Sequence, residues 1–136
     1  MDAQGLPLAV CIGPANQRDE QMALPLIAAL PTIKARNGQI RKLKILQGDA
    51  GYGFAWLIAA VLALLIRPLL ALRGRTEHGS GLGKTRYVVE RSLSWLNNYR
   101  RLRLCYEKTG PHFQAFHELA ICHLLANRLK KVQQQF

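Results

Sequence analysis

Apolar residues along this chain come in short blocks separated by Gly, Pro and Asn, and the blocks alternate between strand-like and helix-like spacing. Asp2-Ala3-Gln4-Gly5 reads as a turn, and the run Leu6 to Ile12 suits a buried strand that Gly13-Pro14-Ala15-Asn16 stops. Asp19 to Leu30 predicts a helix with Met22, Leu26 and Leu30 on one stripe, ended by Pro31. Residues 34–42 read as a basic loop, with Lys34, Arg36, Arg41 and Lys42 around Asn37-Gly38. Leu43 to Leu46 predicts a second strand that delivers Gln47-Gly48-Asp49 at its C-terminal end. An apolar helix follows from Phe54 to Leu65, and Pro68 to Leu72 reads as a third strand. Arg73 to Lys84 is a Gly-rich loop and Thr85 to Leu102 a long helix. Thr109 as N-cap, with Pro111 close behind it, opens a last helix toward Val132. Strands alternating with helices make the fold class α/β.

Composition narrows this picture. At 136 residues and 49% hydrophobic, the chain is the size of one domain and has enough apolar side chains for a core. Collagen-like and disordered classes are excluded. Nineteen Lys and Arg against eight Asp and Glu leave a net charge of +11, which attracts polyanions. Nucleic acid is the first candidate partner and an anionic membrane surface the second. Three widely spaced cysteines without a CxxC argue against a disulfide framework or zinc ribbon and for a reducing cytosol. The N-terminus lacks a basic region ahead of its apolar run and is broken by Pro7, unlike a signal peptide.

Three segments carry candidate chemistry. His78-Gly-Ser-Gly-Leu-Gly-Lys84-Thr85 nearly spells a phosphate-binding loop, but His78 stands where the pattern needs its first glycine. A glycine loop leading into a helix is the better reading. Ala50 to Ile66 carries no charge, yet its densest part, Phe54 to Ile66, spans only about 20 Å as helix against a hydrocarbon core of about 30 Å. A core helix followed by a buried strand fits better than a membrane anchor. On the helix around Glu90, the residues Arg86, Glu90, Ser94, Asn97 and Arg101 form one polar stripe, opposite Val88, Trp95, Leu96 and Tyr99. The plain reading is a solvated face with an Arg86–Glu90 ion pair. Yet residues 73–108 hold nine Lys or Arg and three Glu, and Tyr99-Arg100-Arg101-Leu102-Arg103 interleaves guanidinium groups with rings as a phosphate-tracking surface does. His117-Glu118 begins an HExxH motif that fails at Ile121, and the remaining histidines read as helix-surface or core residues.

Taken in order, Gly5-Leu-Pro-Leu-Ala-Val, Gly13-Pro-Ala-Asn with Asp19, Gly48-Asp49-Ala-Gly51-Tyr52, His78-Gly-Ser-Gly-Leu-Gly, Arg86-Tyr-Val-Val-Glu90-Arg91, Trp95-Leu96-Asn97 and Tyr99-Arg-Arg-Leu-Arg103 resemble the C-terminal part of bacterial insertion-sequence transposases of the DDE class. The resemblance runs from about Asp2 to Arg128. It implies an incomplete ribonuclease-H-like α/β fold: a short mixed sheet with flanking helices and a C-terminal helix, forming one partial catalytic domain over residues 1–136. It also implies that Asp49 and Glu90 are catalytic carboxylates binding Mg²⁺ in a two-metal site, because hard oxygen ligands suit Mg²⁺ and two such ions flank an in-line phosphoryl displacement.

The sequence departs from the family in three places. The family's first aspartate lies upstream of this chain's start, Ala50 stands where an arginine is usual, and Leu57 to Leu65 is apolar where the family is charged. The expectation is therefore a DNA transposase fragment that contributes to Mg²⁺-dependent strand cleavage and transfer, is inactive alone, and is completed by an upstream transposase segment or a full-length transposase. Lys84, Arg86, Arg91, Arg100, Arg101 and Arg103 are expected to contact DNA. A catalytically incomplete DNA-binding or regulatory remnant is the alternative, and a small membrane-inserted basic protein a weaker one. The expected location is the bacterial cytoplasm with the nucleoid, and no small-molecule substrate is implied.

Overall fold

The computed structural model describes residues 1–72 and 82–134, with side chains from Tyr87 onward in the second stretch. The glycine-rich segment of residues 73–81 and the side chains of Lys84 and Arg86 lie outside the described residues. The chain forms two compact units, one of residues Ala15–Thr85 and one that joins Met1–Pro14 to Arg86–Phe136. Both helices and short strands are present, which makes the fold α/β. Among the described residues the strands form two separate pairs, one antiparallel and one parallel, instead of one mixed sheet.

The unit of residues 15–85 is built around a strand–helix–strand crossover. Strands β3 (Ile45–Gly48) and β4 (Arg67–Leu70) pair in parallel, with Ile45 opposite Arg67 and Gly48 opposite Leu70. Parallel neighbours need a long connection, and helix α2 (Ala55–Ala63) supplies it. Leu57 and Val61, one helical turn apart, are completely buried in a cluster with Ala23 and Ile66. Leu24, Ile27, Leu46, Tyr52, Phe54 and Leu70 pack around it. The apolar segment is thus a core helix along one stripe only, because Trp56, Leu62 and Leu64 are exposed. No helix among the described residues is long and apolar enough to cross a membrane.

Helix α2 ends without a glycine. Leu65 takes a left-handed conformation with φ 60°, and Ile66 N–H donates back to Val61 O at 3.2 Å. This is a Schellman closure, and it turns Ile66 into the core.

Two expectations change here. The helix at Asp19 begins as a tight 3-10 turn (Asp19–Met22) before α1 (Ala23–Ala28). The buried side carries Ala23, with Leu24 and Ile27 packed beside it, while Leu26 of the expected stripe is exposed. The expected basic loop is a hairpin: β1 (Ile33–Lys34) pairs antiparallel with β2 (Ile40–Arg41). Gly38 closes it at φ 80°, with Gly38 N–H donating to Ala35 O and Ala35 N–H to Gln39 O. That is a three-residue hairpin loop with a left-handed glycine.

In the other unit the turn at Asp2 has the same geometry. Gly5 N–H donates to Asp2 O, Asp2 N–H to Leu6 O, and Gly5 sits at φ 81°. Asp2 Oδ1 accepts from both Gln4 N and Leu6 N at 2.9 Å. The run from Leu6 to Ile12 that follows is not a strand among the described residues; a strand exists only where its backbone groups find a ladder partner. The turn rests on helix α3 (Leu82–Asn97). The Ser92 hydroxyl, 1% exposed, reaches both Gly5 O and Val88 O. A Cβ on Gly5 would come within 2.8 Å of Ser92 Oγ and 2.9 Å of Val88 Cγ1.

Helix α3 is shorter than its sequence pattern suggested. It stops at Asn97, and Tyr99 N–H donates to Leu96 O in a closing turn before the four-residue α4 (Arg100–Arg103). Asn97-Asn98 explains the break, since amide side chains compete for backbone groups and favour helix ends. The last helix, α5 (Gly110–Gln133), starts after Thr109 as expected and buries Ala120 and Ile121.

Candidate functional site

Asp49 stands one residue beyond β3 and starts a 3-10 turn (Ala50–Tyr52). Its Oδ1 accepts a hydrogen bond from Gly51 N at 2.9 Å, and Tyr52 N–H donates to its main-chain oxygen at 3.1 Å. The carboxylate is therefore exposed, yet fixed by the backbone of its own turn. The strand starts two residues later than the apolar pattern suggested, and Asp49 still follows its C-terminal end.

Tyr52 shows what surrounds this corner. Its phenol is half-buried against the core, and its pKa is raised, first by burial and then by the carboxylates of Asp19, Asp49 and Glu20. Glu20 is buried, with Arg18 at 3.8 Å. In a chain of net charge +11 this is an acidic corner. Sequence reasoning placed Asp19 in the motif but did not join it, or Glu20, to Asp49. The Gly-Asp-x-Gly-Tyr spacing was the signal, since it brings the tyrosine back beside the aspartate.

Glu90 lies in the other unit, exposed on α3. The opposite face of that helix carries buried Val88 and half-buried Trp95 and Leu96, as the stripe predicted, and also buried Ser92, which the stripe did not include. Arg101 has left the stripe because α3 ends before it.

Two of the arginines expected at DNA are engaged within the chain. Arg91 Nη2 donates to Gln4 O at 2.6 Å, and its guanidinium lies 5.7 Å from the Tyr87 ring centre and 5.2 Å from that of Trp95. It clamps the first turn onto α3. Arg101 pairs with Glu107 at 2.7 Å and stacks on Phe116 at 4.7 Å, which ties α4 to α5. Arg100 and Arg103, three residues apart and both exposed, enter no ion pair among the described residues.

The histidines among the described residues serve the helices. Tyr99 Oη and His123 Nδ1 are 2.6 Å apart, His117 Nδ1 donates to Phe113 O, and His112 meets Thr109 Oγ1 at 2.9 Å. Among the described residues no group of three or more His, Cys, Asp or Glu side chains is placed to hold a metal ion. Asp49 and Glu90 each offer carboxylate oxygens, the donor type that suits a hard cation such as Mg²⁺.

The chain is 40% identical over 134 residues to a Burkholderia cepacia protein named "Putative transposase for insertion sequence element IS402". The match covers 98% of this chain and 63% of that relative, so the chain spans less than two thirds of its length. No solved structure matches. Residues 1–125, which include the Gly-Asp-Ala-Gly-Tyr turn and the Glu90 helix, match the family model described as Transposase DDE domain, and the chain belongs to that family.

Proposed function

We propose that this chain is part of the catalytic domain of an insertion-sequence transposase and acts on DNA. In this reading residues 1–136 are one partial domain of ribonuclease-H-like arrangement. Asp49 and Glu90 supply two of the three carboxylates that hold a pair of Mg²⁺ ions. An upstream transposase segment, joined to the chain or supplied by a full-length partner, provides the third. The observation that carries the reading is the Asp49 turn: a family-motif carboxylate presented at a strand end and oriented by the Gly51 N–H.

Bound Mg²⁺ would activate the attacking oxygen and stabilise the leaving one in a phosphoryl displacement. The chain's own part is to orient and to bind. The Gly51 hydrogen bond holds one oxygen of Asp49, which limits the rotamers available to the other. Helix α3 presents Glu90 from a face whose far side is packed. Arg100 and Arg103 neutralise DNA phosphates; Lys84 and Arg86 are proposed to extend that surface, with Arg91 and Arg101 setting the positions of the elements that carry it. Such a protein works in the bacterial cytoplasm, at the nucleoid.

The test is Mg²⁺-dependent cleavage of an insertion-sequence end, by this chain alone and by the chain joined to its upstream segment. Cleavage is expected from the joined form only, and Asp49→Asn or Glu90→Gln should remove it without weakening DNA binding. DNA binding with no cleavage by the joined form would assign the chain to the regulatory alternative.

A further inference from the structure

A second block of like charge lies in the unit of residues 15–85. From Gln21 to Gly48 there is no Asp or Glu, while Lys34, Arg36, Arg41, Lys42 and Lys44 fall on or beside the β1–β2 hairpin. All five are exposed, and among the described residues none is in an ion pair or a side-chain hydrogen bond. Five unshielded cations on so short a segment repel one another, and a polyanion relieves that repulsion.

The shape of the segment narrows the polyanion. The hairpin is a two-stranded ribbon whose strand residues are exposed on both faces, and among the described residues no third strand pairs with it. Residues directly opposite share a face, and successive residues alternate. The register sets Ile33 opposite Arg41 and Lys34 opposite Ile40, so each face carries one cation and one isoleucine. A membrane-surface element needs its apolar side chains on one face and its charges on the other, and this ribbon has neither arrangement. The major groove of duplex DNA, about 12 Å wide, admits a two-stranded ribbon and is flanked by phosphates on both sides. Cations on both faces match both walls, and exposed isoleucines suit thymine methyl groups on its floor. The loop is already held in shape by Gly38 and by Asn37 Oδ1, which accepts from Gln39 N at 3.2 Å, so little ordering is needed on docking.

We propose that the β1–β2 hairpin is a second duplex-DNA contact of this chain, entering the major groove as a ribbon with cations toward both phosphate walls. The proposal rests on the DNA-acting reading above for its partner, but not on Asp49, Glu90 or α4.

Binding of the chain to a short labelled duplex, followed by fluorescence anisotropy across a salt series, tests it. The combined variant Lys34→Ala, Arg36→Ala, Arg41→Ala and Lys42→Ala should lose at least about tenfold in affinity. Its slope of log affinity against log salt should flatten by about 3.6, since each of the four phosphate contacts contributes about 0.9. In the unmutated chain, duplex DNA should protect Lys34 and Lys42 from acetylation, a readout independent of how the variant folds. An unchanged slope, or no protection at these lysines, overturns the proposal, as does hairpin-dependent binding to phosphatidylserine vesicles with none to duplex. A variant carrying Arg100→Ala and Arg103→Ala separates the two readings. If it loses affinity while the hairpin variant binds normally, the hairpin contact fails and the transposase reading stands. Hairpin-dependent binding with no Mg²⁺-dependent cleavage by the joined form leaves the hairpin contact standing and removes the catalytic reading.

Discussion

Replacing Leu65 by glycine should stabilise this protein, although it removes a large apolar side chain. Leu65 is 93% exposed, so its side chain contributes almost no burial. Its φ of 60° places an L-residue in the left-handed region, at a cost of about 1–2 kcal/mol. Glycine removes that cost but loses about 0.5–1 kcal/mol more than alanine to the conformational freedom of the unfolded chain. The expected net gain is about 0.5–1 kcal/mol. For a chain of this length that raises the melting temperature by roughly 2–4 °C. Thermal melts followed by circular dichroism, with Leu65→Ala alongside, check the reasoning. Alanine keeps the left-handed cost and should leave the melting temperature close to the parent's. If the alanine variant gains as much as the glycine variant, the effect comes from surface hydrophobicity and the backbone argument is wrong. A glycine variant less stable than the parent refutes it outright.

Three further outcomes follow from local geometry elsewhere in the chain. Gly5→Ala should cost about 2–3 kcal/mol, because φ 81° penalises any Cβ and the new atom meets Ser92 and Val88; urea unfolding measures it. The raised pKa of Tyr52 sets a sign at high pH: the folded protein keeps this phenol neutral beyond the pH, about 10, at which the unfolded chain releases its proton. That contribution to stability is fully present below about pH 10 and is lost as pH rises through the folded pKa. The stability of Tyr52→Phe should therefore fall less steeply above pH 10 than that of the parent, and Asp49→Asn should move the tyrosinate absorbance midpoint downward.

Local chemistry determined much of this protein. Asp2-Ala3-Gln4-Gly5 and Ala35-Arg36-Asn37-Gly38 carry their turn geometry in four residues, because glycine supplies the left-handed position without steric cost. The strand–helix–strand order around α2, the start of α5 at Thr109, and the position of Asp49 beyond a strand end were legible for the same reason. Periodicity and end signals act over a few residues, and the Gly-Asp-x-Gly-Tyr spacing fixes the turn that holds the carboxylate.

Tertiary contacts decided the rest. Whether Leu6 to Ile12 is a strand depends on a ladder partner distant in sequence, and whether residues 33–41 are loop or ribbon depends on cross-strand pairing that the short Ile-Lys and Ile-Arg blocks barely announce. Which side of α1 is buried was set by the cluster of Leu57, Val61 and Ile66 that Ala23 joins, and the apolar spacing of the helix did not announce it. Arginines look alike in sequence: only the fold turned Arg91 toward Gln4 O and Arg101 toward Glu107 and left Arg100 and Arg103 in solvent. Ser92 is the clearest case. A serine on an amphipathic helix reads as surface, and it became the most buried polar side chain among the described residues because a glycine turn 87 residues away packs on it and supplies the carbonyl its hydroxyl needs.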